Sequence, residues 1–481
     1  MARQGTLAYP PAIMAGLVQI RRPGGETPEP AEALEIREHP VTPGEGPRIY
    51  METFGCQMNE ADTALVLGRL QADGWVRVDD PSQADLVLVN TCAVREKAED
   101  RVYGRTTQLL DHRSRNPDLV IGITGCMAEH LRDKLETRAP HIGLVAGPDS
   151  YRNIAALARS AIAGQRAVDV TLDKHEVYEG LDGQLDPEGD GVSGYVTIQR
   201  GCDKFCSFCV VPFTRGRERG VPPREVLRQV RRLAEAGYRE VTLLGQTVNS
   251  YVWEDVDFAT LLRAVATVDG IERIRFTSPY PVDFSPALIE VLATVPKVSP
   301  YVHMPVQAGA DVVLERMRRG YTVAQYLELV TALRAAVPDI AISTDIMVGF
   351  CGETEEDHAQ TLALMEAVEF DFAFMFAYSD RGITYAAKRL EDDVPEATKK
   401  RRLSEVIELQ ERHTRASHER ELGREATVLI TGPSRRGDRL VGKTPRFHKV
   451  LLPLGAGRPG DLVEVVVTGS TGHSLHARLR A

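Results

Sequence analysis

The chain has 481 residues, 43% of them hydrophobic and 26% charged, which is too long for one ordinary domain and enough for two to four separate cores. Its net charge of −10 is unevenly spread: from Leu422 onward ten Lys/Arg face four Asp/Glu, so a basic C-terminal module follows an acidic body. No run of eighteen apolar residues occurs, and the apolar stretch 13–20 follows a Pro-Pro pair without a basic lead, so neither a membrane span nor a signal peptide is expected.

Residues 1–45, rich in Pro, Gly and Glu, are expected to form a poorly ordered extension. From residue 48, strand patterns at 48–54, 84–90 and 119–124 alternate with helical patterns at 60–74, from 96, and at 129–138. This alternation predicts a parallel α/β sheet domain over 46–164, and the Gly/Asp-rich stretch 179–194 reads as a linker. Six further strands are predicted at 195–199, 240–244, 273–277, 301–303, 341–348 and 372–377. Helical patterns lie between most of them, for example at 223–236, 324–336 and 355–368. A partial (β/α)6 TIM-like barrel over 188–418 is the expected architecture. A charged helical segment runs from 396 to about 422, and short β-like runs at 426–430, 439–442, 449–452 and 462–468 predict a small antiparallel β-barrel over 422–481.

The seven cysteines form an odd, sparse set that disfavours a disulfide framework and suits metal-binding thiolates in a reducing cytoplasm. Three of them fall in Gly201-Cys202-Asp203-Lys204-Phe205-Cys206-Ser207-Phe208-Cys209, directly after the first barrel strand, on the face where barrels place their chemistry. Three thiolates on a short loop can hold three irons of a cubane and leave the fourth open. The rivals are a structural zinc site, which needs four closed ligands although no histidine lies between His175 and His303, and a simple electron-transfer cluster, which usually takes four cysteines. A second set, Cys56, Cys92 and Cys126, is spaced by 36 and 34 residues, each just after a predicted strand. Loops at the carboxyl ends of parallel strands share one sheet edge, so these three can converge on a second cluster. Three inert thiols are the alternative.

The Cys-x3-Cys-x2-Cys loop resembles the signature of the radical S-adenosylmethionine superfamily. The two triads together resemble the methylthiotransferase family, from about residue 47 onward. Gly55-Cys56-Gln57-Met58-Asn59 is similar to its MiaB branch, which thiomethylates N6-isopentenyladenosine beside the tRNA anticodon. So are Arg200–Arg219, Leu244–Tyr251 and His303–Gly309, and the C-terminal barrel resembles a TRAM module. The resemblance implies two [4Fe-4S] clusters, S-adenosylmethionine as cosubstrate, a tRNA substrate, and an external electron donor and sulfur source. A cytoplasmic monomer is expected. Departures occur at Thr247, where Asn is usual, at Cys351, where Pro is usual, and at Arg381–Thr384, which replaces Arg-Pro-Gly-Thr. Cys351 reads as a free buried thiol. Threonylcarbamoyladenosine in tRNA and a ribosomal-protein aspartate are the other substrates of this chemistry, and a non-catalytic iron–sulfur RNA-binding protein is the rival class.

Phe208 matches the aromatic that such enzymes pack beside bound adenine, and reads equally well as a core residue. Gln246, Asn249, Ser278, His303, Gln307 and Asp345 fall at or beyond strand ends, where they can position cosubstrate or adenosine or serve as structural polar groups. No catalytic residue is assigned beyond the cluster ligands. Arg215, Arg217, Arg219, Arg435, Arg436, Arg439, Lys443, Arg446 and Lys449 are candidate RNA contacts, with a solvated face as the alternative.

Overall fold

The structure is a computed structural model and describes residues 46–92, 96–131, 138–185 and 190–480. The expected extension at 1–45 lies outside the described residues.

The chain opens with β1 (Arg48–Phe54), α1 (Gln57–Ala72), β2 (Val76–Arg77), β3 (Leu86–Thr91), α2 (Glu96–Leu109), β4 (Val120–Thr124) and α3 (Cys126–Leu131). Then come β5 (Ile142–Ala146), α4 (Ile154–Ile162) and β6 (Ala167–Asp169). The strands form one sheet in the order β2-β1-β3-β4-β5-β6, every pair parallel. Strand β3 is buried at all six positions, as a central parallel strand covered on both faces must be. Two differences from the expected elements bear on the site. Helix α1 begins at Gln57, because Cys56 is extended at its N-cap and the Asn59 side chain accepts the Cys56 N–H at 3.4 Å. Helix α3 begins at Cys126; residues 132–137 of the predicted helix lie outside the described residues. Strands β2, β5 and β6 and helix α4 are not among the expected elements. The sheet therefore runs past residue 164, and the following segment lies back on it: Tyr178 stacks on Tyr151 and donates its hydroxyl to the Pro148 carbonyl at 2.6 Å.

The barrel strands are β7 (Ser193–Thr197), β8 (Glu240–Leu244), β9 (Arg273–Phe276), β10 (Tyr301–His303), β11 (Ala341–Val348) and β12 (Phe372–Ala377). They pair in parallel as β9-β8-β7 and β10-β11-β12, and the halves meet at a parallel bridge between Ile274 and Val298. Strands β7 and β12 end the arc, so the barrel is partial. Register assigns the lumen face: Ser343, Asp345 and Met347 pair with Phe372, Phe374 and Phe376, and His303 with Ser343. Valines, leucines and isoleucines of the opposite face fill the largest core beneath the surrounding helices.

A long helix, Glu396–Arg420, leads to a closed five-stranded barrel of β13 (Glu425–Pro433), β14 (Leu440–Lys443), β15 (Lys449–Leu452), β16 (Leu462–Ser470) and β17 (Leu475–Leu479). The fifth strand, which the sequence pattern does not predict, buries Leu475 and Ala477 and closes the sheet, removing its edges. This module docks at the amino ends of the large barrel's strands. There Arg273 donates to the carbonyls of Lys443 and Thr427, and Arg275 to those of Pro445 and Thr444. Among the described residues, no helix is long and apolar enough to cross a membrane.

Candidate active site

The N-terminal triad sits where three βα units end. Asn59 and Asn90 brace these ends: Asn59 Nδ2 donates to Asn90 Oδ1 at 3.1 Å, and Asn90 Nδ2 donates to the Asn59 carbonyl at 2.8 Å. Thus the start of α1, with Cys56, and the end of β3, two residues before Cys92, are tied together. Gly125 has φ +89°, and a Cβ there would lie 2.4 Å from Asn90 Oδ1, so only glycine lets Cys126 approach the same edge. Cys56 and Cys92 are hydrogen-bonded through their side chains. That bond, aided by the nearby Arg215 guanidinium, lowers the Cys56 thiol to about 6. Cys126 is buried, and burial raises its thiol.

The second triad occupies the loop after β7. Gly201 has φ +74°, and a Cβ there would lie 2.0 Å from the Arg217 carbonyl, so the loop turns only with glycine. Burial pushes the Cys202 thiol up to about 11 and the Cys209 thiol up to about 12. Neither would ionise at neutral pH without a strong positive charge at the centre, which is what iron supplies to coordinating thiols. A cubane wants its donors on separate vertices, and among the described residues no three His, Cys, Asp or Glu side chains close on a single ion. The all-thiol donor sets fit iron–sulfur clusters at both places. The two triads are neighbours, since Cys126 packs against Val210, the residue after Cys209, with Ile383 packed against the pair.

Two buried arginines, whose partners no sequence pattern announces, serve these cysteines. Arg215 Nε donates to Cys126 Sγ at 3.0 Å and Nη2 to Asp62 Oδ2 at 2.7 Å. Arg319 Nη1 donates to Cys206 Sγ at 3.2 Å, while its other nitrogens reach Tyr321 and the Pro305 carbonyl. Asp62 also takes Arg200 Nη2 at 2.9 Å, which locks α1 to the cluster loop.

The remaining candidates divide. His303 Nδ1 lies 2.8 Å from Ser343 Oγ, and its Nε2 lies 3.4 Å from Asp345 Oδ1, so His303 and Asp345 share the lumen. Gln246 keeps a buried side-chain oxygen without a hydrogen-bond partner among the described residues, able to accept one from a ligand. Gln307 and Ser278 hold left-handed backbone, at φ +78° and +57°. Phe208 is half-buried and edge-on to Phe350. Asn249 is consumed structurally, exchanging two hydrogen bonds with the Tyr280 backbone. Two of the expected RNA contacts, Arg215 and Arg219, are corrected by the structure: both are buried, Arg215 on Asp62 and Arg219 in a two-bond pair with Asp149. Arg446 is half-buried and ion-paired with Glu421 and Asp371, and Lys443 lies over the Phe447 ring. Arg217, Arg435, Arg436, Arg439 and Lys449 are exposed.

Comparison with known proteins gives the same three-part division. The family described as Uncharacterized protein family UPF0004 matches residues 48–147, the Radical SAM superfamily 196–365 and the TRAM domain 419–479. The tRNA-2-methylthio-N(6)-dimethylallyladenosine synthase of Chlorobium luteolum is 46% identical over 434 residues, covering 90% of this chain and 97% of its own. The same-named enzyme of Porphyromonas gingivalis is 44% identical, over 89% of this chain and 94% of its own. The chain belongs to the tRNA-2-methylthio-N(6)-dimethylallyladenosine synthase family. It is accordingly an enzyme of methylthio transfer, with radical S-adenosylmethionine and iron–sulfur chemistry. Among solved structures, the radical S-adenosylmethionine methyltransferase TsrM of Kitasatospora setae shares the fold at 16% identity, covering 69% of this chain and 73% of its own with a TM-score of 0.53.

Within this tRNA-2-methylthio-N(6)-dimethylallyladenosine synthase fold, the three departures have defined places. The Thr247 hydroxyl donates to Glu218 Oε2 at 3.1 Å and also lies within hydrogen-bond reach of the Cys202 thiol. Cys351 is buried and hydrogen-bonded to Tyr378. In the Arg381–Thr384 segment, Ile383 is the residue that covers Cys126 and Val210, and Thr384 caps the helix Tyr385–Arg389 by accepting the Ala387 N–H.

Proposed function

We propose that this chain thiomethylates C2 of an N6-isopentenyladenosine next to the anticodon of tRNA, using two [4Fe-4S] clusters. Cys202, Cys206 and Cys209 would hold one cluster and Cys56, Cys92 and Cys126 the other. When bound, the clusters and S-adenosylmethionine supply a carbon-centred radical and the methylthio group. The chain's own residues hold the two centres apart yet adjacent: Val210 carries the barrel triad against Cys126, and Ile383 packs against that contact. Below them, His303 and Asp345 offer a hydrogen-bonding pair in the lumen, and Phe374, edge-on to His303, offers an apolar wall. The Gln246 oxygen is an acceptor for an amino group. The exposed arginines of the C-terminal module bring positive charge to the RNA backbone. An external reductant and sulfur source complete the turnover, and the chain works as a monomer.

The contact of Cys126 with Val210, the residue after Cys209, in a member of a family named for this reaction, carries the reading. Nucleoside mass spectrometry of tRNA from a strain lacking the protein tests it. Loss of one methylthioadenosine with build-up of its isopentenyl precursor is expected. Build-up of threonylcarbamoyladenosine, or an unchanged profile, would overturn the substrate. The reduced, reconstituted protein should also release 5′-deoxyadenosine from S-adenosylmethionine, which a mere binding protein would not do.

A further inference from the structure

Arg215 belongs to the barrel domain by sequence and to the N-terminal triad by contact. It lies six residues after Cys209, yet its Nε donates to the sulfur of Cys126 across the domain boundary. Its surroundings hold an unbalanced charge. Arg200 and Arg215 both bind Asp62, and Arg219 binds Asp149. Three guanidinium groups thus share two carboxylates, and all five side chains are less than a tenth exposed. A buried surplus cation is costly unless negative charge meets it. Arg215 Nη1 is buried and has no hydrogen-bond acceptor among the described residues. An iron–sulfur core with three thiolates carries negative charge and sulfur acceptors, and so would meet both needs.

We propose that Arg215 is a positioning residue of the N-terminal cluster, orienting the Cys126 ligand, donating to the cluster's sulfur and raising its reduction potential. This rests on the two-cluster reading. Hydrogen bonds and positive charge at the sulfurs stabilise the reduced, more negative state, and outer-shell donors of this kind also hold ligands in place. Because the donor comes from the loop of the other triad, the electronic character of one centre depends on the placement of the other's loop.

The test uses the full chain with Cys202, Cys206 and Cys209 changed to alanine, so that only the N-terminal triad can hold a cluster after anaerobic reconstitution. Iron per chain and the midpoint potential from a redox titration are then measured for Arg215, Arg215→Gln, Arg215→Lys and the exposed control Arg217→Gln. Uptake of no iron by the background itself would sink the two-cluster reading before Arg215 is touched. Given a loaded background, Arg215→Gln should shift the midpoint to lower potential or lose iron with its circular dichroism intact, while Arg217→Gln leaves both unchanged. Lysine keeps a point charge for Asp62 but not the fork that spans two partners, so Arg215→Lys should fall between. It decides the matter if the glutamine variant does not fold. A midpoint and iron content equal to those of the background in the folded variants would overturn the proposal.

Discussion

Tyr301 of the large barrel stacks on Phe447 of the C-terminal module, ring centroids 4.8 Å apart and planes 22° from parallel. The Tyr301 hydroxyl lies 2.7 Å from Ser343 Oγ, which in turn lies 2.8 Å from His303 Nδ1. A continuous line of contacts therefore runs from the C-terminal module into the lumen. Beside it, Arg275 pairs with Glu240 at 2.7 Å, both nearly fully buried. Replacing Arg275 with Met should strand the Glu240 carboxylate and destabilise the protein by about 3–5 kcal/mol. A urea titration of Arg275→Met against the parent checks this; a change under about 1 kcal/mol would show the pair to be relaxed or hydrated.

Iron content separates the triads. Changing Cys56, Cys92 and Cys126 to alanine should remove about half the iron of the reconstituted protein, and changing Cys202, Cys206 and Cys209 should remove the other half. Only the second variant should fail to cleave S-adenosylmethionine. Equal iron in both variants and the parent would remove the assignment of ligands.

Acid should loosen the junction of the long helix and the C-terminal module. Burial pushes His448 down to about 4, with Arg446 opposing its protonation further, Asp371 favouring it and His418 stacked edge-on nearby. The unfolded imidazole titrates near ~6.5. Stability contributed by the neutral ring is present above that pH and lost as pH falls toward 4, because the unfolded chain takes up a proton that the folded one refuses. His448→Gln should flatten the decline in urea midpoint between about pH 7 and pH 5. An unchanged slope would place the acid sensitivity elsewhere.

The loop of Arg435, Arg436 and Arg439 carries exposed charge on the C-terminal module. Changing all three to Gln should weaken tRNA binding without regard to base sequence and reduce the slope of log K against log salt by about one for each phosphate no longer neutralised. Filter binding across a salt series measures this. Unaltered affinity would mean that RNA approaches by another face.

The alternation of apolar runs made the parallel sheets legible, because strands buried on both faces announce themselves as short, nearly continuous apolar runs, as Leu86–Val89 does. Cys56, Cys92, Cys126 and Cys202 stand out because each closely follows a predicted strand. Strand Ala167–Asp169 was not, since three residues carry no period and its pairing to β5 is set by the sheet already formed. The roles of Arg215 and Arg219 were hidden for a different reason. Their partners Asp62 and Asp149 stand 153 and 70 residues away, and local charge cannot distinguish a guanidinium aimed at solvent from one aimed inward. Arg217, between them, does face solvent and pairs with Asp203.

Four main-chain oxygens of the C-terminal module are gripped by Arg273 and Arg275 at the floor of the large barrel. A module held that way cannot swing as a tethered arm would. Its exposed basic loop is therefore carried at a fixed span from the cysteine-rich mouth, set by the barrel between them.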